Sequence, residues 1–101
     1  MVVAPKLLDY VMAIVARSRK TRDLVLGVSP RGAQGLFRAV QARALVEGRP
    51  FATPDDVKRV APPVLQHRVL ASHHGPSEGA ASGRREREAL SRILDEVPVP
   101  L

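Results

Sequence analysis

The sequence contains no cysteine and no tryptophan, one tyrosine and two phenylalanines. The absence of cysteine excludes a disulfide scaffold, thiolate metal sites and thiol catalysis. It fits a cytoplasmic location, where thiols stay reduced and disulfides are rare. With so few aromatic residues, the core must be assembled from Ala, Val and Leu, which dominate the 45% hydrophobic content. No long apolar run is present either. The longest, from Leu7 to Ala16, is interrupted by Asp9 and falls short of the ~20 residues of a membrane-spanning helix. It lacks the small-residue cleavage site of a signal peptide. Lysine is scarce beside arginine, so the charge favours bidentate recognition of anions over diffuse attraction.

What is present is one small domain's worth of chain: 101 residues carrying 16 Lys+Arg against 10 Asp+Glu, a net charge of +6. Such a balance raises nucleic acid, phosphate or acidic surfaces as partners.

Helical patterning dominates. Pro5 suits a first turn, and Leu7, Tyr10, Val11, Ile14 and Val15 follow helical spacing over Lys6 to Ser18. Apolar residues cover nearly the whole circumference of that helix, which predicts a central place in the core. A basic stretch, Arg17 to Arg22, follows at its dipole-favoured end. Leu24-Val25-Leu26 reads as a connection with apolar anchors. Ser29-Pro30 is a strong start signal, a hydroxyl cap followed by proline at the first helical position. The second helix runs from Pro30 to Glu47 and stops at Gly48. Gly32 and Gly35 in its first turns predict close approach of a backbone or ligand.

Thr53-Pro54-Asp55-Asp56 repeats the start signal, with two acids in the favoured first turn. The third helix is expected to reach about Val60. Pro62 and Pro63 should then break the chain, Pro63 opening a short turn that His67 caps. Arg68-Val69-Leu70 is expected to pair with Phe51-Ala52 as a token β bridge. Residues 71–83, rich in Gly, Ser and His, read as a mobile loop. A last amphipathic helix spans Arg84 to Glu96, with Glu88 and Arg92 as an i,i+4 pair. The expected fold is all-α, four to five helices with a minimal two-stranded bridge, its ordered part about 5–70 and 84–97.

The candidate for chemistry is Ser29-Pro30-Arg31. A helix N-terminus presents free N–H groups and the positive dipole end, which suits an anion. Arginine in the first turn is electrostatically unfavourable for the helix itself and becomes sensible when an anion sits there. The same residues are also compatible with a solvated arginine on a helix flank. Gly27 to Gly32 has the glycine spacing of a P-loop, but Ala33-Gln34 stand where Lys-Ser/Thr must follow. With no P-loop and no acidic strand for Mg²⁺, the chain is not expected to hydrolyse a nucleotide alone. No metal site is expected. His73 and His74 are adjacent in a Gly-rich segment without a third ligand, and Asp55 and Asp56 are explained by the helix dipole. The basic stretch lacks the aromatic residues that stack bases.

Three blocks carry a family resemblance: Leu26-Gly27-Val28-Ser29-Pro30-Arg31-Gly32-Ala33, Gly48-Arg49-Pro50-Phe51-Ala52-Thr53-Pro54-Asp55-Asp56-Val57, and Pro63-Val64-Leu65-Gln66-His67-Arg68-Val69-Leu70. Together with the closing Ile93-Leu94-Asp95-Glu96-Val97-Pro98-Val99-Pro100, they resemble the C-terminal lid domain of MoxR-type AAA+ ATPases over nearly the whole chain. Ala52 and Gly32 depart from the family's commoner Val and Ala.

The resemblance implies an all-α lid beside an α/β nucleotide-binding domain. It implies that Arg31, positioned by Ser29 and Pro30, is the sensor-2 residue contacting the γ-phosphate of Mg-ATP held on that domain, with no nucleotide bound to the lid alone. It further implies a hexameric ring with chaperone-like activity, partners with von Willebrand A domains, and Walker motifs, sensor 1 and an arginine finger that lie outside this sequence. Apolar surface that the larger domain normally covers, including Leu24, Val25 and Leu36, is expected to be exposed. Two other readings stand beside it: a stand-alone basic helical module binding nucleic acid, and a structural interaction domain in which Arg31 is inert.

Overall fold

A computed structural model describes residues 5–71 and 84–100. The described residues form four helices and one small sheet: α1 (Pro5–Lys20), β1 (Leu24–Leu26), α2 (Pro30–Val46), α3 (Pro54–Leu65), β2 (Leu70–Ala71) and α4 (Arg84–Glu96). The expected all-α class is therefore correct. The loop expected at 71–83 lies outside the described residues except for Ala71, which belongs to β2. His73 and His74 also lie outside them.

α1 buries Leu7, Tyr10, Val11, Ile14, Val15 and Ser18. It is one-sided rather than apolar-buried all round, since Leu8 and Met12 on the opposite side are exposed. The neighbouring helices cover only the stripe they pack against.

α2 begins as the start signal predicts. Ser29 is extended (φ −77°, ψ 164°), and its Oγ accepts from the Gly32 amide at 3.0 Å. Its end is a Schellman closure: Gly48 adopts φ +75°, its amide donates to the Leu45 carbonyl, and the Arg49 amide donates to that of Ala44. α2 and α3 form the most extensive helix pair, and α4 packs across α3 and α1. Leu36, Val57, Leu65, Leu90 and Ile93 are fully buried where they meet.

Two expectations about the middle of the chain need correction. α3 does not stop near Val60. It continues to Leu65 through Pro62 and Pro63, and His67 lies beyond it without capping a separate turn. Those prolines forfeit bonds to the carbonyls of Lys58 and Arg59, both exposed residues within reach of water. Continuing the helix buries Ala61 and Leu65, which offsets that loss. The bridge also forms elsewhere. β2 pairs antiparallel with β1, Leu24 opposite Ala71 and Leu26 opposite Leu70, and not with Phe51-Ala52. The Phe51 carbonyl instead accepts from Arg49, just ahead of the Thr53 cap. The Ala71 amide donates to Glu86, tying the sheet to α4.

The charge pairs also differ in part. Glu88 pairs with Arg84 and Arg92 with Asp23, because Arg92 reaches across to the α1–β1 connection. Arg17 binds Glu96 at 2.7 Å, closing α1 onto α4. Of the apolar residues expected to be exposed, only Val25 is. Leu24 and Leu36 are buried, and exposure falls instead on Leu26, Leu45, Val46, Phe51 and Leu70.

Close packing at glycine falls at Gly27 more than at the helix glycines. A Cβ on Gly27 would stand 2.6 Å from the Ser18 carbonyl oxygen and 2.8 Å from the Arg19 nitrogen. At Gly32 the nearest atom is Val28 Cγ1 at 3.1 Å, and Gly35 faces open space. Gly27→Ala is therefore expected to destabilise the domain by about 2–3 kcal/mol, because backbone must shift to admit the methyl. Gly35→Ala is expected to stabilise it by about 1 kcal/mol. Chemical denaturation of both variants checks the contrast.

Candidate functional site

Ser29, Pro30 and Arg31 are all exposed at the start of α2. Pro30 has no N–H, the Gly32 amide is taken by the Ser29 hydroxyl, and the Ala33 amide donates to the Ser29 carbonyl. The Arg31 amide thus has no intrahelical partner, in a turn that carries the positive end of the helix dipole. The Arg31 guanidinium makes no hydrogen bond or ion pair with any described residue.

Behind this turn lies a groove of about 570 Å³ lined by Arg19, Leu26, Gly27, Val28, Ser29, Pro30 and Arg68. Among the described residues, both charged members of its wall are arginines and no carboxylate lines it. Arg68 lies across the helix start, its Cδ 3.7 Å from where a Gly32 side chain would begin. Arg19 spends its Nε–H on the Val28 carbonyl at 2.9 Å, which leaves the rest of its fork at the groove. The groove therefore offers guanidinium donors to an anion, a kind of donor that phosphate oxygens take.

The groove wall thus adds Arg19 and Arg68 beside Ser29 and Pro30, while Arg31 follows Pro30 in the chain and is not among its lining residues. Sequence reasoning missed both additions. Arg19 was legible only as one cation in a basic stretch, and Arg68 only as a member of a β bridge.

A second polar cluster sits at the opposite end of α2. Asp56, 1% exposed at its side chain, receives Arg49 Nη1 and Nη2 at 2.8 and 2.6 Å and the Thr53 amide at 2.8 Å. Arg43 approaches to 3.4 Å. The hydrogen bonds from Arg49, with those from Thr53, hold the Asp56 carboxyl down to about 2 from its usual 3.8, against the opposing effect of burial. Asp56 is therefore a structural hub and not merely a dipole-facing acid, as Thr53-Asp56 spacing alone suggests; Asp55 pairs only with exposed Arg59. No group of three or more His, Asp or Glu among the described residues could hold a metal ion. No described helix is long and apolar enough to cross a membrane.

This architecture matches the AAA lid domain, whose family model covers residues 16–93 of the chain. The chain is 37% identical to the YeaC protein of Bacillus subtilis (strain 168) over 91 residues, 90% of this chain and 28% of YeaC. It is 32% identical to Chaperone MoxR1 of Mycobacterium tuberculosis over 103 residues, 93% of this chain and 26% of MoxR1. A crystal structure of a Cytophaga hutchinsonii protein assigned as an ATPase superposes with a TM-score of 0.82 at 25% identity, covering 98% of this chain and 32% of that one. The chain belongs to the AAA lid domain family and is a lid of the MoxR-type AAA+ ATPases. It spans about a quarter of the length of the curated relatives it matches.

Proposed function

We propose that this lid reports the nucleotide state of an adjoining ATPase domain through Arg31. On this reading Arg31 is the sensor-2 arginine. Its guanidinium reaches from the first turn of α2 to the γ-phosphate of ATP bound, with Mg²⁺, on the α/β domain. A two-pronged contact of this kind ties lid to core while the γ-phosphate is present. Loss of that phosphate on hydrolysis releases the tie and lets the lid swing as a rigid body. The same guanidinium stabilises charge developing on the transferred phosphoryl group. Lid motion is then passed around a hexameric ring of subunits to do chaperone-like work in the cytoplasm, with von Willebrand A domain proteins as candidate partners.

The observation that carries the proposal is an arginine placed where a helix dipole disfavours it, unpaired with any described residue, in a turn beside a groove lined by two further arginines. The test is Arg31→Ala in the full-length ATPase, measured as ATPase rate and nucleotide affinity. Wild-type values for both overturn the sensor role. Salt-dependent binding of DNA or RNA by the 101-residue chain would instead favour a nucleic-acid module.

A further inference from the structure

The turn that carries Arg31 is not anchored by its own helix alone. Val28, three residues earlier, is gripped on both sides by the last turn of α1. Its amide donates to Ser18 Oγ at 2.9 Å, and its carbonyl accepts from Arg19 Nε at 2.9 Å. These two atoms belong to successive peptide planes, so fixing both fixes the two torsions between them. Ser18 is 1% exposed, and its hydroxyl is itself oriented by donating to the Val15 carbonyl at 2.6 Å. The Val28 side chain is buried, and Gly27 lies against the Ser18 backbone so closely that no side chain fits. Ser29 follows as the cap that sets the direction of α2.

We infer that Ser18 and Arg19 are positioning residues for Arg31: the end of α1 clamps the Val28 backbone and thereby fixes where the first turn of α2 aims its arginine. The inference rests on the sensor reading of Arg31 and adds a device to it. With both peptide planes held, α1 and the start of α2 turn as one body. A displacement of α1 therefore moves Arg31 without slack, and a displacement imposed on Arg31 is delivered to α1. A misplacement on the order of 1 Å can cost roughly a hundredfold in rate at a phosphoryl-transfer site, so a clamp on this peptide is worth more to activity than to stability.

The test is a pair of double-mutant cycles in the full-length ATPase, read as kcat and KM for ATP. Ser18→Ala removes the acceptor for the Val28 amide, and Arg19→Met removes the donor to its carbonyl while keeping the stem. Each is expected to lower kcat about tenfold in the presence of Arg31 and less than twofold when combined with Arg31→Ala. Arg19→Lys, which keeps a donor, is expected to recover most of the rate. Should Ser18→Ala fail to fold, the Arg19 cycle decides, because that side chain is exposed. Equal losses in both backgrounds overturn the inference and leave the sensor reading standing. So do wild-type rates for the folded single variants when Arg31→Ala is slow. A wild-type rate for Arg31→Ala overturns both.

Discussion

Replacing Asp56 with alanine lowers the unfolding free energy of the domain by about 3 kcal/mol, against less than about 0.5 kcal/mol for Asp55→Ala. The two acids are neighbours with the same charge and the same helix dipole. Their surroundings differ. Asp55 is exposed and meets only the flexible, exposed Arg59. Asp56 is buried and its two oxygens take two bonds from Arg49, two from Thr53 and the approach of Arg43. Those partners come from the last turns of α2, the connection after it and the cap of α3, so one carboxylate fastens both ends of the α2–α3 turn. Its removal strands the Thr53 amide and frees two arginines, and the cost is moderated because both arginines keep partial access to water. Urea denaturation of the two variants measures the difference. A drop as small at Asp56 as at Asp55 would show that the hub adds nothing.

The same carboxylate makes stability depend on acid. Its folded pKa, about 2, lies below the ordinary 3.8, so the unfolded chain binds a proton first as pH falls. The contribution of the ionised form is therefore fully present above about pH 4 and is lost progressively as pH drops toward about 2. Asp56→Asn is expected to flatten this part of the stability–pH curve. Arg49, whose pKa is raised chiefly by its hydrogen bond to Asp56, stays charged throughout.

Arg31→Ala has the opposite profile. The full-length ATPase is expected to lose at least about tenfold in kcat, since arginines that stabilise phosphoryl transfer are worth several orders of magnitude in related chemistry. The lid itself is expected to be no less stable, and more stable by about 0.3 kcal/mol, because the change removes a cation from the positive end of a helix. Arg31 is exposed and makes no hydrogen bond or ion pair with a described residue, so none is lost with it. Activity falling while the melting temperature holds or rises is the signature of a group kept for function against the preference of the fold. A parallel fall of both would assign Arg31 a structural role.

The helix starts were legible because their chemistry is local. Ser29-Pro30 and Thr53-Pro54-Asp55-Asp56 carry cap, first-turn proline and acids within four residues, and Gly48 marks an end that needs a positive φ. Arg31 stood out for the same reason, since its conflict with the dipole is visible from its position in the turn. The course of α3 through Pro62 and Pro63 was not legible. Local rules weigh the lost hydrogen bonds, and only packing against the other helices supplies the burial of Ala61 and Leu65 that outweighs them. The partner of β2 was likewise hidden, because strand pairing joins segments distant in sequence and local pattern marks Leu24-Val25-Leu26 only as a connection with apolar anchors.

By itself, then, the sequence determined an all-α domain with caps at defined residues, and an arginine standing at an anion-ready helix start. Tertiary structure alone decided that Arg19 and Arg68 join it, that Gly27 must be glycine, and that Asp56 and Ser18 are buried junctions. The division follows the range of the forces. Capping, dipoles and helical periodicity act within a turn or two of chain. Convergence of charges, exclusion of a methyl group and saturation of a buried polar atom depend on segments that meet only when the helices pack.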